Sequence, residues 1–323
     1  MALPPALTAA LDRLSQGRPR STIAARAAAI SNAYRSGGGS AGIRDDNDAL
    51  AYAFARMPAT YAAVTACLQQ VIARDPERRP VRLLDVGAGP GTATFAAAEA
   101  FSSLGDFSLI DANPSLRKLA LALAQDLPVF GGLRYRAGDA GKMLTDAEKA
   151  DLVIASYVIG ELTEREQTDL ADALWARTCD LLLVIEPGTP AGHARIAALR
   201  QRLIAAGAHV VAPCPHDLPC PLAPPDWCHF VQRLARSRGH MQVKGVELPF
   251  EDEKFSYVAL ARTPPAPLAA RVLAQPLTGK VEIAAKLCQA DGRAAIARIA
   301  RRDKPTYAAA KRWRWGDAVD FET

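Results

Sequence analysis

Three cysteines with metal-binding potential lie close together in the segment PCPHDLPCPLAPPDWCHF at residues 213–230. Five residues separate Cys214 from Cys220, and seven separate Cys220 from Cys228. These spacings are wider than the two-residue knuckle that is typical of zinc ribbons. A closed zinc or iron–sulfur site requires a fourth ligand. The candidates for this fourth ligand are His216, His229 and the distant Cys288.

Prolines flank the first two of these cysteines, at positions 213, 215, 219 and 221. They stiffen an extended loop and remove competing backbone donors, which suits a metal-binding loop. Burial of the thiols as apolar groups is the alternative, but it explains poorly why three cysteines lie within fifteen residues. Because the start of the chain lacks the long apolar core of a secretory signal, we expect a reducing compartment. Clustered cysteines there are metal ligands more often than disulfides.

A glycine-rich turn follows an apolar strand pattern in LLDVGAGPGTATFAAAEAF at residues 83–101. Asp85 ends the strand pattern, and Gly87, Gly89 and Gly91 lead into an alanine-rich helix pattern. Glycines let the chain turn sharply and approach a ligand without side-chain interference. The turn therefore predicts a ligand site, and the alternative is an α/β domain whose glycine turn binds nothing.

Two further aspartates end the strand patterns that follow. Asp111 lies twenty-two residues after Gly89, where an acid hydrogen-bonds the ribose in nucleotide-binding folds. Asp139 ends the third strand pattern, in the sequence AGDA. The spacing G-x-G-x-G, with Asp85 before it, resembles the first motif of the class I S-adenosylmethionine-dependent methyltransferases. This resemblance implies that the loop Gly87–Gly91 wraps the methionine moiety, that Asp111 holds the ribose and that Asp139 lies near the adenine.

The sequence identifies no catalytic residue for methyl transfer. Methylation of a nucleobase amino group commonly uses an Asn-Pro-Pro-Tyr/Phe-like motif after the fourth strand, where this chain has SYVIGEL at residues 156–162. Carbon methylation requires a nucleophilic cysteine at the same edge, whereas Cys179 is expected at the opposite end of a strand, as a packing residue. Tyr157 and Glu161 are candidates for substrate contact, and equally for residues at the start of a helix.

Apolar periodicity predicts the elements that position these groups. Residues 6–35 and 45–74 show helical spacing. Over residues 81–262, strand patterns alternate with helical stretches, which indicates a parallel sheet with crossover helices. After a proline-rich linker, the pattern predicts strand-like pieces, the last of them TYAAAKRWRW at residues 306–315.

The predicted fold class is α/β, a class I methyltransferase (Rossmann-like) fold with a mostly parallel sheet and helices on both faces. The sequence contains no run of eighteen or more apolar residues, so it predicts no membrane span. We expect three consecutive segments: an N-terminal helical extension at 1–78, an S-adenosylmethionine-binding domain at 79–262 with a cysteine-rich insertion at 212–230, and a small, basic, β-rich C-terminal segment at 263–323.

Eight segments, in their order and spacing, resemble the methyltransferase-like proteins of the mitochondrial small ribosomal subunit and their bacterial homologues. They are RMPATYAAV (56–64), LLDVGAGPGTA (83–93), SYVIGEL (156–162), VIEPGTPAGHARIAALR (184–200), APCPHDLPCP (212–221), WCHFVQRLAR (227–236), KFSYVALAR (254–262) and RWGD (314–317). The resemblance covers nearly the whole chain from the N-terminal helices onward.

This resemblance implies a 4Fe–4S cluster whose ligands map onto Cys214, Cys220, Cys228 and Cys288. Thiolates also suit zinc, so zinc is the alternative, with His216 or His229 in place of Cys288. The resemblance also implies association with the RNA and proteins of the small ribosomal subunit during its assembly. We expect a monomer without a membrane or DNA partner. Because the match leaves little room for a transit peptide, we expect the bacterial cytoplasm, with the mitochondrial matrix as the alternative.

The C-terminal charge agrees with an RNA partner. Residues 271–315 contain eleven Lys or Arg and three Asp or Glu, an excess of eight in a chain whose net charge is +5. Cations neutralise phosphates, and the interleaved Tyr307, Trp313 and Trp315 either stack on bases or pack on the core. Two functions stay open: a methyltransferase acting on ribosomal RNA or a ribosomal protein, and a non-catalytic assembly factor that recognises the immature subunit.

Overall fold

The computed structural model describes residues 2–35, 39–244 and 247–321. The chain forms two compact units, each built from several stretches of sequence. The first unit comprises Met1–Gln69, Arg78–Leu183 and Gln232–Glu253, and the second comprises Gln70–Glu77, Val184–Val231 and Lys254–Thr323. The units interleave along the chain, and the three consecutive segments expected from the sequence stay a prediction.

The helices begin and end as follows. They are α1 (Pro5–Leu14), α2 (Arg20–Arg35), α3 (Asp46–Arg74), α4 (Thr92–Ala100), α5 (Pro114–Ala124), α6 (Ala140–Leu144), α7 (Glu164–Arg177), α8 (Pro190–Ala205), α9 (Arg238–Lys244) and α10 (Lys304–Ala310). The helical pattern over 6–35 is divided into α1 and α2, because Gly17 adopts a left-handed φ of 76° and Pro19 follows it. Within the described residues, none of the helices combines the length and apolar character that crossing a bilayer requires.

The strands are numbered in chain order. They are β1 (Arg82–Val86), β2 (Asp106–Asp111), β3 (Arg134–Ala137), β4 (Ala150–Ser156), β5 (Thr178–Pro187), β6 (His209–Ala212), β7 (Phe230–Ala235), β8 (Phe250–Ala261), β9 (Ala270–Val272), β10 (Leu277–Thr278), β11 (Glu282–Gln289), β12 (Ala294–Ala300) and β13 (Ala318–Val319).

The first unit contains the parallel sheet that positions the glycine loop. Its strand order is β3-β2-β1-β4-β5, and the β1–β2, β1–β4 and β2–β3 pairs are all parallel. The carboxyl ends of β1, β2, β3 and β4 therefore meet at one edge. The last four residues of β1 are buried, as expected for a central parallel strand. The predicted α/β fold with a largely parallel sheet is confirmed.

The second unit contains antiparallel strands. One group has the order β5-β8-β6, with β8 and β6 antiparallel. A separate sheet has the order β10-β11-β9-β13, with β12 on β11, and its described pairs are antiparallel. Buried apolar side chains of β9, β11 and β12 form its core. The predicted β-rich C-terminal segment is confirmed.

The strand predicted at residues 306–315 is wrong, because helix α10 occupies Lys304–Ala310. Pro305 stands in the first turn, where a fixed φ and a missing N–H favour helix initiation. Three consecutive alanines follow at 308–310, and alanine has the highest helix propensity. Tyr307 and Ala310 are the buried residues of this helix.

Gly192, in the first turn of α8, provides a test of the packing in the second unit. A Cβ at this position would lie 2.0 Å from the carbonyl oxygen of Pro187. Helix propensity alone favours Gly192→Ala by about 1 kcal/mol, but the clash reverses the sign. We expect the free energy of unfolding in urea to fall by about 1–3 kcal/mol. Gly105→Ala is the control, because a Cβ there meets no atom within 4 Å; equal stability of the two variants would contradict this packing.

Candidate cofactor and metal sites

The glycine loop leaves the carboxyl end of β1 and begins with a residue that only glycine can occupy. Gly87 has a φ of +67°, and a Cβ there would lie 2.1 Å from Cγ2 of Val158. The N–H groups of Gly87 and Ala88 both donate to the carbonyl of Ile110, at 2.8 and 3.0 Å. Gly87 therefore packs the start of the loop against Val158 and Ile110. No room for a ligand remains at its Cα.

Gly89 differs, because its Cα faces open space. It has a φ of +53°, and the nearest atom to a Cβ there is Cδ1 of Leu116, at 3.9 Å. Its N–H donates to Oδ2 of Asp111 at 2.9 Å, and its carbonyl accepts from the hydroxyl of Tyr135 at 2.7 Å. The peptide groups on both sides of Gly89 are thus held in place, while the space that a side chain would fill stays open to a ligand.

Asp85, the last acidic group before the loop, is a buried carboxyl with one unpaired oxygen. It is 0% exposed. Its Oδ2 accepts from the N–H and the hydroxyl of Thr94, at 3.1 and 2.7 Å. Oδ1 has no hydrogen-bond partner among the described residues. Burial raises the pKa of Asp85 to about 7, against the Thr94 hydrogen bonds and with a further contribution from the charge of Asp111. This carboxyl is suited to a ligand that brings a positive charge or a donor.

Asp111 and Asp139 lie at the ends of β2 and β3, where the sequence placed them. Asp111 accepts from Gly89 and, through Oδ1, from the N–H of Asn113 at 2.7 Å. A carboxylate has about four acceptor positions, so both oxygens can still accept from hydroxyls. Burial raises its pKa. Asp139 is exposed and accepts from the N–H of Lys142 at 3.0 Å, which caps α6.

The residues after β4 hold a buried charged network that the sequence did not predict. Tyr157 has a left-handed φ of 60°, which is strained for a residue with a Cβ. Its hydroxyl donates to Oε1 of Glu253 at 3.0 Å, and Arg56 donates to the same oxygen at 3.0 Å. Burial, followed by the charge of Glu253, raises the pKa of Tyr157 well above its usual range. Glu161 is engaged as well, because its Oε2 accepts from Ser40 at 2.8 Å.

Four of the six cysteines, Cys214, Cys220, Cys228 and Cys288, belong to the second unit, and all six are free thiols. Burial raises the pKa of Cys288 to about 12, with contributions from Cys214 and Cys220. Burial also raises the pKa of Cys228 well above its usual range, with contributions from the other three thiols. Within the described chain, however, no three His, Cys, Asp or Glu side chains converge as the ligands of one metal ion.

Nitrogen groups surround these thiols. His216 Nε2 lies 3.4 Å from Cys288 Sγ, and His193 Nε2 lies 3.9 Å from Cys220 Sγ. Burial raises the pKa of Cys214, and Arg200 lowers it by its charge and by a hydrogen bond. The soft thiols and their donor groups fit a thiolate-ligated metal group, because ligating sulfur is commonly hydrogen-bonded by its surroundings.

His229 and Cys179 take other roles. The ring of His229 packs against Trp227 and Trp315, with centroids 5.2 and 4.8 Å away. Its carbonyl accepts from the indole N–H of Trp315 at 2.9 Å. Cys179 is exposed in β5, so its predicted packing role is wrong.

The basic C-terminal residues expose their charges but bury their rings. Arg312 and Arg314 are exposed, and Tyr307 is buried. Trp313 packs against Phe321, with ring centroids 5.4 Å apart. Tyr307 and Trp313 therefore pack on the core of the C-terminal sheet, as one of the two interpretations expected, while Arg312 and Arg314 expose their charges.

Comparisons with known proteins give two kinds of similarity. "Ribosome assembly protein METTL17, mitochondrial" of Homo sapiens is 29% identical over 303 residues, which cover 85% of this chain and 63% of that protein. Two Schizosaccharomyces pombe proteins, "Rsm22-cox11 tandem protein 1" and "2, mitochondrial", are 29% identical over 194 residues, covering 55% of this chain and 26% of theirs. The chain thus spans less than two thirds of the length of each of these relatives.

Solved structures are similar to parts of this chain, but at low sequence identity. Magnesium protoporphyrin IX methyltransferase from Synechocystis PCC 6803, with bound SAH, has a TM-score of 0.43 and 12% identity, covering 72% of this chain and 94% of that chain. An O-methyltransferase family protein from Burkholderia thailandensis has a TM-score of 0.45 and 14% identity, covering 68% and 61%. The strand order and parallel pairing, rather than these overlaps, define the fold.

A family model also matches most of the chain. The family described as "Mitochondrial small ribosomal subunit Rsm22" matches residues 46–320. This stretch includes the glycine loop of the first unit and all four clustered cysteines of the second. The chain belongs to the Rsm22 family.

Proposed function

We propose that this protein binds S-adenosylmethionine and a 4Fe–4S cluster and acts on the small ribosomal subunit, in its assembly, in methylation of its RNA, or in both. The observation that carries the proposal is the family match over residues 46–320, together with one ligand-ready site in each unit. The names of the relatives describe roles of those proteins, and we propose the same roles for this chain.

The glycine loop and the carboxyls around it support S-adenosylmethionine as the ligand of the first site. The cofactor carries a sulfonium, an ammonium group and ribose hydroxyls. Gly89 leaves open space beside the loop, and the buried Asp85 has a free oxygen for a cationic partner. Asp111 can accept from the ribose, and Asp139, at the end of β3, is proposed near the adenine. Bound cofactor would supply an activated methyl group, while these residues bind and orient it.

Replacing Gly89 tests this site. Gly89→Val places a branched side chain in the open space, so we expect affinity for S-adenosylmethionine or its demethylated product to weaken about tenfold or more, that is by about 1.4 kcal/mol. Calorimetric titration measures the affinity. Gly17→Val is the control, because Gly17 also has a positive φ and free space around a Cβ but lies in a turn between α1 and α2. Unchanged affinity in Gly89→Val would remove the cofactor from the proposal.

The second site offers four thiols, and we propose all four as ligands of one 4Fe–4S cluster. Cys214, Cys220 and Cys228 belong to the proline-rich segment, and Cys288 lies on β11. His216 Nε2 lies 3.4 Å from Cys288 Sγ, and we propose the imidazole as a hydrogen-bond partner of this cysteine rather than as its replacement. Zinc bound by the same thiolates is the second candidate, because the donor set suits both. A cluster there would cross-link two distant stretches of the second unit.

Anaerobic isolation tests the metal. We expect brown protein with absorbance near ~400 nm and about four iron and four sulfide per chain. Cys288→Ser should lose both the iron and part of the thermal stability, because metal binding is coupled to folding. Cys179→Ser, which changes an exposed thiol outside the group, should retain both. Stoichiometric zinc without acid-labile sulfide would instead assign the site to zinc.

Two observations support assembly as the principal role. The human relative is named as a ribosome assembly protein. In this chain, Tyr157, the side chain best placed after β4 to meet a substrate, already donates to Glu253. Methyl transfer is the second candidate, favoured by the open glycine loop. The names of the relatives favour the mitochondrial matrix over the bacterial cytoplasm, and a small ribosomal subunit exists in both.

Subunit binding and methyl transfer can be measured on the same particles. Arg312→Glu with Arg314→Glu should weaken binding to small-subunit RNA and reduce the slope of log affinity against log salt by roughly 1–2, because counterion release drives phosphate contacts. Lys149→Glu with Arg165→Glu, which reverses two exposed charges of the first unit, is the control.

Labelled S-adenosylmethionine, incubated with small subunits from cells that lack the protein, then separates the two functions. Transfer in a single turnover would identify an enzyme. Binding without transfer would identify an assembly factor. Absence of binding would contradict both.

A further inference from the structure

A fully buried arginine lies beside the cysteines without a carboxylate to neutralise it. Arg271 is 0% exposed. Its hydrogen-bond acceptors are neutral: the carbonyl of Pro213 at 2.7 Å, the carbonyl of Gly316 at 2.8 Å and the side chain of Gln70. No ion pair joins it to any described carboxylate, and its Nη2 has no hydrogen-bond partner within the described chain. A buried cation without a counter-charge is strongly unfavourable.

The strand register pairs this cation with one of the four cysteines. Arg271 on β9 is the direct cross-strand partner of Cys288 on β11, so the two side chains lie on the same face of the sheet. Its Nε holds the carbonyl of Pro213, the residue immediately before Cys214. The charge of Arg271 lowers the pKa of Cys214, Cys228 and Cys288, against the larger effect of burial.

A second buried cation reaches the same group from helix α8. Arg200 is 3% exposed, and its Nη2 donates to the carbonyl of His216 at 2.6 Å. Its charge lowers the pKa of Cys214, against the larger effect of burial, while its Nε has no hydrogen-bond partner among the described atoms. Like Arg271, it forms no ion pair with a described carboxylate. Two positive charges therefore converge on thiols that are neutral when protonated.

The missing counter-charge equals that of a metal group on four thiolates. Four thiolates around a 4Fe–4S core in its oxidised state, or around one Zn²⁺, carry a net charge of about −2. We propose that Arg271 and Arg200 are the counter-cations of this thiolate group, with Arg271 also fixing the cysteine-rich loop through Pro213 and using its free Nη2 to stabilise the thiolate charge. This inference rests on the proposed four-cysteine site and holds for either metal.

A purely mechanical role is the competing explanation, because Arg271 joins Pro213 to Gly316. The two roles differ in what they change. A mechanical clamp alters stability but not the electronic properties of the bound group. A counter-cation favours the state with more negative charge, so its loss lowers the reduction potential of a cluster and weakens metal binding by thiolates. Arg200 is anchored to a different carbonyl of the loop, that of His216, so the two arginines are tested separately.

The experiment compares three variants with the parent protein: Arg271→Met, Arg271→Lys and Arg200→Met. Arg301→Gln is the control, because it removes one exposed charge of the second unit. Reduction potentials of anaerobically isolated, cluster-loaded protein are measured by dithionite titration followed by electron paramagnetic resonance. Affinity for Co²⁺ is measured on the metal-free protein from sulfur-to-cobalt charge-transfer absorbance. We expect both methionine variants to shift to a more negative potential and to bind Co²⁺ about ten- to a hundredfold more weakly. Arg271→Lys should restore most of both values, and Arg301→Gln should change neither.

Each outcome bears on one inference. Parental potential and Co²⁺ affinity in folded Arg271→Met and Arg200→Met would overturn the counter-cation role and leave the metal site standing. Should Arg271→Met fail to fold, Arg200→Met and Arg271→Lys decide the question. A parent protein that takes up neither cluster nor Co²⁺ would instead refute the four-cysteine site itself.

Discussion

The antiparallel pairing of β9 with β11 is the constraint on which the second unit depends. One register places Val272 opposite Leu287 and Arg271 opposite Cys288. Because side chains alternate along a strand, the apolar pair points into the core while the arginine and the thiol share the other face. A slip of one residue would expose the apolar pair and turn Cys288 away from the other thiols. The energy that buries the core therefore also sets the geometry of the candidate metal site.

Both units contain buried charged groups that keep one polar atom without a hydrogen-bond partner among the described residues. In the first unit, Asp85 keeps an unpaired carboxylate oxygen, and burial raises its pKa to about 7. In the second, Arg271 and Arg200 keep unpaired guanidinium nitrogens. Buried polar atoms are rarely left unsatisfied in native proteins. The signs are opposite and match the proposed ligands: a carboxyl for a cationic cofactor, and guanidiniums for an anionic thiolate group. The orphaned atoms thus carry more information about function than the satisfied ones.

The sequence predicted what is local and missed what the fold brings together. The glycine turn and Asp111 could be predicted, because a strand, a turn and a helix leave their own periodicity and glycine spacing. The set of four cysteines came from the family resemblance, because spacing alone left His216, His229 and Cys288 open as the fourth ligand, and it stays a prediction. Arg271 could not be recognised, since it stands in a basic stretch where every cation looks alike, and only the sheet register pairs it with Cys288. The sequence predicted a strand where helix α10 lies, because aromatic and apolar residues are compatible with both helices and strands. The residue pattern also does not show the register of the preceding hairpin.

The network after β4 bears on whether the fold acts as an enzyme. A left-handed φ at a residue with a Cβ costs about 1–2 kcal/mol, so Tyr157 keeps φ 60° only because other interactions compensate. Its hydrogen bond to Glu253, and the ion pair of Glu253 with Arg56, supply that compensation. A side chain held this firmly cannot move to a substrate without breaking a buried charged contact. The next residue, Val158, packs against Gly87. The strained turn after β4 therefore holds the start of the glycine loop in place, while its tyrosine stays committed to Glu253.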